Sequence, residues 1–139
     1  MMKAHVKWVD GLTMVGESPS GHAVVMDGPE AFGGHNLGTR PMEMVLLGLG
    51  GCTLVDVRVM LEKARQQVTD IEVEVQAERA DQVPKVFTRI NVNFIITGKQ
   101  LDQRHVERAV KLSSEKYCSV SRMLDGSVAM SHSFELREA

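Results

Sequence analysis

Apolar positions along the chain repeat every second residue in some stretches and every three to four in others, and the switches divide it into elements. Val6 and Trp8 alternate with His5 and Lys7, Asp10-Gly11 gives a two-residue turn signal, and Leu12–Val15 resumes the extended pattern. Ser18–Gly21 marks a second turn before His22–Met26, so the opening reads as a three-stranded meander. Asp27–Thr39 holds four glycines and one proline without periodicity and predicts a long loop.

Pro41 suits a helical first turn, where its missing N–H costs nothing. Met44–Gly48 is apolar on nearly all sides, and Gly48, Gly50 and Gly51 interrupt it. A second helix is expected from about Cys52 to Gln67. It places Cys52, Val55 and Val59 on one face and Arg58, Glu62, Arg65 and Gln66 on another. Its first half reads as buried and its second as amphipathic.

The middle gives the clearest β signal. Ile71, Val73, Val75 and Ala77 alternate with Glu72, Glu74, Gln76 and Glu78. Ala80–Lys85 is a turn, and Ile90, Val92, Phe94 and Ile96 then alternate with Arg89, Asn91 and Asn93, predicting an antiparallel hairpin. Val106, Ala109, Val110 and Leu112 define a further helix, with a break at Ser113-Ser114. A shorter helix through Lys116–Leu124 carries Cys118, Asp125-Gly126 ends it, and Val128, Met130, Phe134 and Leu136 form a last strand. The order βββ–α(α)–ββ–α(α)–β, with no internal repeat, is an α+β class arranged as one domain over residues 1–139.

Composition narrows the function classes. Apolar residues make up 43% of the 139, enough for a packed core. Sixteen Lys and Arg against 18 Asp and Glu leave a net charge of −2, which argues against a general nucleic-acid binder. Met1–Val9 is polar, without the apolar core of a secretory signal. The longest weakly polar run, Met44–Val55, is too short to span a bilayer. A cytoplasmic protein without a membrane or nucleic-acid partner is the expectation.

The two cysteines, Cys52 and Cys118, are too few for a secreted disulfide framework and form no CxxC pair. Cys52 lies in Gly50-Gly51-Cys52-Thr53 at the predicted start of a helix, where free N–H groups and the dipole favour a thiolate. Asp56, one turn on, opposes this unless Arg58 or another cation answers it. Spacing alone leaves both a reactive thiol and a small core side chain open. Cys118, beside Lys116, reads as core on its own, and 66 positions separate the two (118−52).

No HxxxH or HExxH pattern occurs among the five histidines, so no metal site is expected on one helix, and no cofactor fingerprint is present. His35 is the one histidine in the glycine-rich loop. Glu43 reads as a favourable dipole partner near a helix start, and Arg40 as a loop cation. Met42, Met44, Met60 and Met123, four of the nine methionines, suit either core filling or a pliant apolar pocket.

These motifs resemble a known family. Pro41-Met42-Glu43-Met44-Val45-Leu46-Leu47, followed by Gly50-Gly51-Cys52-Thr53-Leu54-Val55-Asp56-Val57, is similar to the first cysteine motif of the OsmC/Ohr family, the osmotically inducible and organic-hydroperoxide-resistance proteins. Glu115-Lys116-Tyr117-Cys118-Ser119-Val120-Ser121 resembles the second. Pro-Met-Glu-Met and Glu-Lys-Tyr-Cys-Ser-Val look most like the YhfA-type branch. The resemblance implies the OsmC-like fold as an intertwined homodimer, with two long central helices packed against sheets and sites at the subunit interface. It implies a thiol peroxidase in which Cys52 is the peroxidatic nucleophile for an organic hydroperoxide, Cys118 resolves the sulfenic acid to a disulfide, and a dithiol reductant reopens it.

Catalytic members carry a glutamate directly after the proline and an N-terminal arginine that holds the thiolate. Here Met42 occupies the glutamate's place, and Glu43 and Arg40 are the possible supporting residues. These departures favour the second reading: a non-catalytic dimer that binds a small apolar ligand or senses redox state through its thiols.

Overall fold

The computed structural model describes all 139 residues, in two compact units, Met1–Leu46 and Leu47–Ala139. In the first, β1 (His5–Asp10), β2 (Thr13–Glu17) and β3 (Ala23–Met26) form the expected antiparallel meander. Gly11 closes the first turn at φ 56°, and a side chain there would meet the Gly33 carbonyl at 2.5 Å, so the turn needs glycine twice over.

The predicted long loop is tightly held. A short 3-10 turn covers Glu30–Phe32, and the carboxylate of Asp27, only 1% exposed, organises the remainder. It accepts the Thr13 hydroxyl at 2.7 Å and the backbone N–H groups of Gly28 at 2.7 Å, Leu37 at 3.2 Å and His35 at 3.3 Å. Burial pushes the Asp27 pKa up, but the Thr13 hydroxyl and these N–H groups outweigh it and hold the group at about 2. His35 Nδ1 in turn lies 3.0 Å from Thr13 Oγ1.

One continuous helix, α1 (Pro41–Lys63), replaces the two expected. Glycine in a helix costs about 1 kcal/mol relative to alanine, and the long apolar stretches on both sides carry the helix through. A Cβ at Gly50 would meet Val75 Cγ2 at 3.4 Å, an ordinary van der Waals contact that shows β4 running beside this stretch of the helix. The helix ends before Arg65, which turns the chain at φ 57°.

The buried face of α1 also differs from expectation. Leu49, Thr53, Val57 and Leu61, spaced by four, are the buried positions, while Val55 is 60% and Val59 41% exposed. The helix is long and apolar enough to cross a bilayer by length and composition alone, longer than the Met44–Val55 run suggested.

In the second unit β4 (Gln67–Arg79), β5 (Phe87–Lys99) and β6 (Ala129–Glu138) lie in the order β4-β5-β6. The β4–β5 hairpin is antiparallel as predicted, and β6 pairs with β5 in parallel, Phe94 opposite Phe134. The central strand is the core. Ile90, Val92, Phe94 and Ile96 are fully buried, and Val106, Ala109 and Val110 of α2 (Gln103–Leu112) are buried too. On the other sheet face, Ser131 and Ser133 donate to Asn91 at 2.8 Å and Asn93 at 2.9 Å. Asp102 caps α2, accepting the Arg104 N–H at 2.9 Å.

α2 ends at the expected break, with Ser113 as its C-cap. The chain widens there into a π turn over Ser113–Tyr117, and the final helix, α3, is limited to Ser119–Leu124 with Cys118 as its N-cap. Two serines at a helix end bond locally without ending the coil: Ser114 Oγ donates to the Lys111 carbonyl at 3.0 Å.

Candidate functional site

Residues four apart on a helix share a face, and α1 therefore presents Cys52 and Asp56 together. Cys118 reaches them from the far side of the sequence. The Cys118 N–H donates to the Ser113 carbonyl at 2.8 Å, closing the π turn, and Ser113 Oγ donates to Asp56 Oδ2 at 3.1 Å, tying the turn to α1. The result brings both sulfurs and a carboxylate oxygen of Asp56 within 4.8 Å of one another. Both cysteines are free thiols. π turns inserted in helical runs recur at functional sites, and here the wider turn is what sets Cys118.

The two sulfurs are inequivalent. Cys52 is partly accessible, whereas Cys118 is fully buried. Burial is the main force pushing the Cys118 thiol above its ordinary pKa. The Ser121 hydroxyl and N–H pull the other way, and neighbouring Cys52 adds to the rise. The Ser121 N–H donates to Cys118 Sγ at 3.4 Å.

The expectation that Cys52 opens a helix is overturned. Cys52 is the twelfth residue of a 23-residue helix (52−41+1), so its N–H is spent inside the coil and the helix-end field, which fades within a turn, does not reach it. Arg58 does not answer Asp56 either, because it pairs with Glu62 at 2.7 Å.

Beside the thiols runs a groove of about 490 Å³. Asp56 and Tyr117 stand on its wall, Val59, Met60, Ala109 and Leu112 supply apolar surface, and Lys63, His105 and Arg108 supply cations.

In the first unit, Glu43 and Arg40 are engaged close to home. Glu43 Oε1 accepts the Arg40 N–H at 2.8 Å and the Thr39 hydroxyl at 3.1 Å, and these bonds lower its pKa. Arg40 Nη1 donates to Asn36 Oδ1 at 2.8 Å and to the Gly38 carbonyl at 3.1 Å. The dipole-partner reading of Glu43 describes this arrangement well.

A family model described as OsmC-like protein matches residues 34–133. The chain belongs to the OsmC-like family. Within it, protein YhfA of Escherichia coli K12 is 50% identical over 135 residues, covering 97% of this chain and 98% of YhfA. A chain solved by structural genomics is 48% identical with a TM-score of 0.89, covering 99% of this chain and 100% of that one. The organic hydroperoxide resistance protein OhrB of Bacillus subtilis shares the OsmC-like fold at 20% identity and TM-score 0.66, over 97% of this chain and 98% of OhrB.

The sequence presents Asp56 only as a charge opposing a Cys52 thiolate, and it does not mark Ser113 as the partner of Asp56 or Ser121 beneath Cys118. The Cys-x3-Asp spacing was the available signal, since it puts a thiol and a carboxylate on one helix face.

Proposed function

We propose that this OsmC-like protein is a thiol-dependent peroxidase that reduces organic hydroperoxides to alcohols. The observation that carries it is the convergence of two free thiols, one partly accessible and one buried, with Asp56 beside them and a groove of mixed apolar and cationic lining. The Cys52 thiolate attacks the O–O bond, taking the terminal oxygen as a sulfenic acid while the alkoxide leaves and is protonated to the alcohol. The Cys118 thiol then displaces that hydroxyl as water and forms the Cys52–Cys118 disulfide, and a dithiol reductant restores both thiols. The presence of organic hydroperoxide resistance proteins among the structural relatives supports this direction. Glu43 and Arg40 have at most a supporting part.

The working form on this reading is a homodimer in the cytoplasm, residues 1–139 being one domain in each copy. Its support is the uncovered stripe on α1: Val55 and Val59 are exposed, and side chains added at Gly48 and Gly51 would meet nothing within 4 Å of the single chain. A second copy is the natural cover for such a face.

Asp56 beside the sulfurs favours a second reading, a redox sensor or ligand-binding dimer without rapid turnover, because a carboxylate disfavours a nearby thiolate. Treating the reduced wild type, Cys52→Ser and Cys118→Ser with cumene hydroperoxide, then counting thiols and weighing the intact chain, separates the two. The peroxidase reading expects fast disulfide formation in the wild type, overoxidation or a trapped sulfenic acid in Cys118→Ser, and no reaction in Cys52→Ser. A wild type that stays reduced overturns it.

A further inference from the structure

We infer that Cys52, Asp56 and Cys118 form a binding site for one borderline-soft divalent cation of the zinc type. The inference shares its two sulfurs with the peroxidase reading and does not depend on it.

Three side chains able to ligate a metal converge, and none of them is held in an ion pair. Their ligand atoms lie within 4.8 Å of one another, yet none of the four ion pairs of the protein includes Asp56. A peroxidatic thiolate gains nothing from such a neighbour, whereas a divalent ion that displaces the thiol protons ties all three donors to one centre.

The geometry is close to what zinc requires. Zinc–sulfur bonds of about 2.3 Å and zinc–oxygen bonds of about 2.1 Å in a tetrahedron put the donors roughly 3.6–3.8 Å apart. A contraction of about 1 Å at most from the observed spread meets this, within the reach of a cysteine rotamer or a small shift of the π turn. Two thiolates with one carboxylate suit zinc, and exclude calcium and magnesium, which take oxygen ligands. Three protein ligands leave a fourth position open to water or another small donor.

The surroundings carry the features that accompany metal ligands. Ser113 Oγ holds one oxygen of Asp56 at 3.1 Å, leaving the other without a hydrogen-bond partner. Ser121, 2% exposed, supplies a second and independent sign. Its hydroxyl faces the Cys118 sulfur and has no nitrogen or oxygen partner of its own. A buried hydroxyl left in that state costs free energy, and a metal-bound thiolate or metal-bound water gives it an acceptor. Cys52, half-exposed, is the side from which an ion enters.

The test is a titration of reduced, metal-free full-length protein with zinc in competition with a chromophoric chelator, and with cobalt(II) followed by absorption. The expected result is one ion per chain with a cobalt–thiolate charge-transfer band. Cys52→Ser and Cys118→Ser should each lose the band and at least a hundredfold in affinity, and Asp56→Asn about tenfold. His5→Ala with His22→Ala, far from the cluster in sequence, should leave both unchanged. Binding that survives both cysteine substitutions, or a cobalt spectrum without the thiolate band in the folded wild type, overturns the inference. Disulfide formation by cumene hydroperoxide in a protein that binds no metal sinks this inference alone; metal binding in a protein inert to peroxide sinks the peroxidase reading alone.

Discussion

Ser113 donates its hydroxyl to Asp56 across 57 positions of sequence, and this 3.1 Å bond fastens the turn that carries one cysteine to the helix that carries the other. Ser113 is fully buried, so its loss leaves a gap as well as a broken bond. Ser113→Ala should lower stability by about 1–2 kcal/mol in denaturant unfolding and slow formation of the Cys52–Cys118 disulfide. Unchanged disulfide kinetics would show that the turn is held by other means.

Cysteine accessibility predicts an order of alkylation. Cys52 is half-buried, while Cys118 is both fully buried and raised in pKa, chiefly by that burial. Brief iodoacetamide treatment of the native reduced protein near pH 8 should label Cys52 first, with Cys118 following only on the timescale of opening. In denaturant the two should label alike. Peptide mass spectrometry reads both, and equal native labelling would contradict the buried placement of Cys118.

Asp27 makes the first unit's stability depend on pH. Its carboxyl titrates at about 2 in the folded protein against an ordinary 3.8, so the unfolded chain takes up the proton first. The resulting stabilisation is present in full above about pH 4 and is lost as pH falls towards 2. Asp27→Asn should be less stable at neutral pH and show a flatter stability profile over that acidic window. Urea unfolding of both proteins at a series of pH values checks the sign.

Phe94 sits fully buried at the middle of the central strand, paired with Val73 on one side and Phe134 on the other. Phe94→Ala should cost about 3–5 kcal/mol, measured by thermal or denaturant unfolding, and a loss under 1 kcal/mol would mean the second unit repacks easily.

Gly51 separates helix propensity from association. A side chain there meets nothing within 4 Å in a single chain, so Gly51→Ala should stabilise the helix by up to about 1 kcal/mol. Gly51→Leu should weaken self-association in sedimentation, since it fills the face assigned to the second copy. An unchanged sedimentation profile would move the dimer surface elsewhere.

Much of this architecture could be read from pattern alone, because period-two alternation survives wherever one sheet face is buried. The alternating residues of β4 and β6 fall on alternate sides as expected, with His132 sharing the half-buried side of β6 with Met130, Phe134 and Leu136. The errors arose where a local signal competed with tertiary packing. Gly48, Gly50 and Gly51 look like a helix break, yet the helix runs through all three, with β4 beside Gly50. Val55 and Val59 look like core because periodicity marks an apolar face without saying what covers it. The partnership of Cys118 with Cys52 had no local trace, since a π turn and a single serine set it.

The parallel pairing of β5 with β6 has a consequence for the order in which the protein assembles. Parallel neighbours need a crossover, and this one, from Lys99 to Ala129, is the stretch that carries α2, the π turn and Cys118. Contacts so distant in sequence are slow to form. A chain whose crossover has not yet packed on α1, where Ser113 bonds Asp56, holds its two thiols apart along 66 positions of sequence (118−52). A disulfide between Cys52 and Cys118 would therefore report that the crossover has packed on the helix.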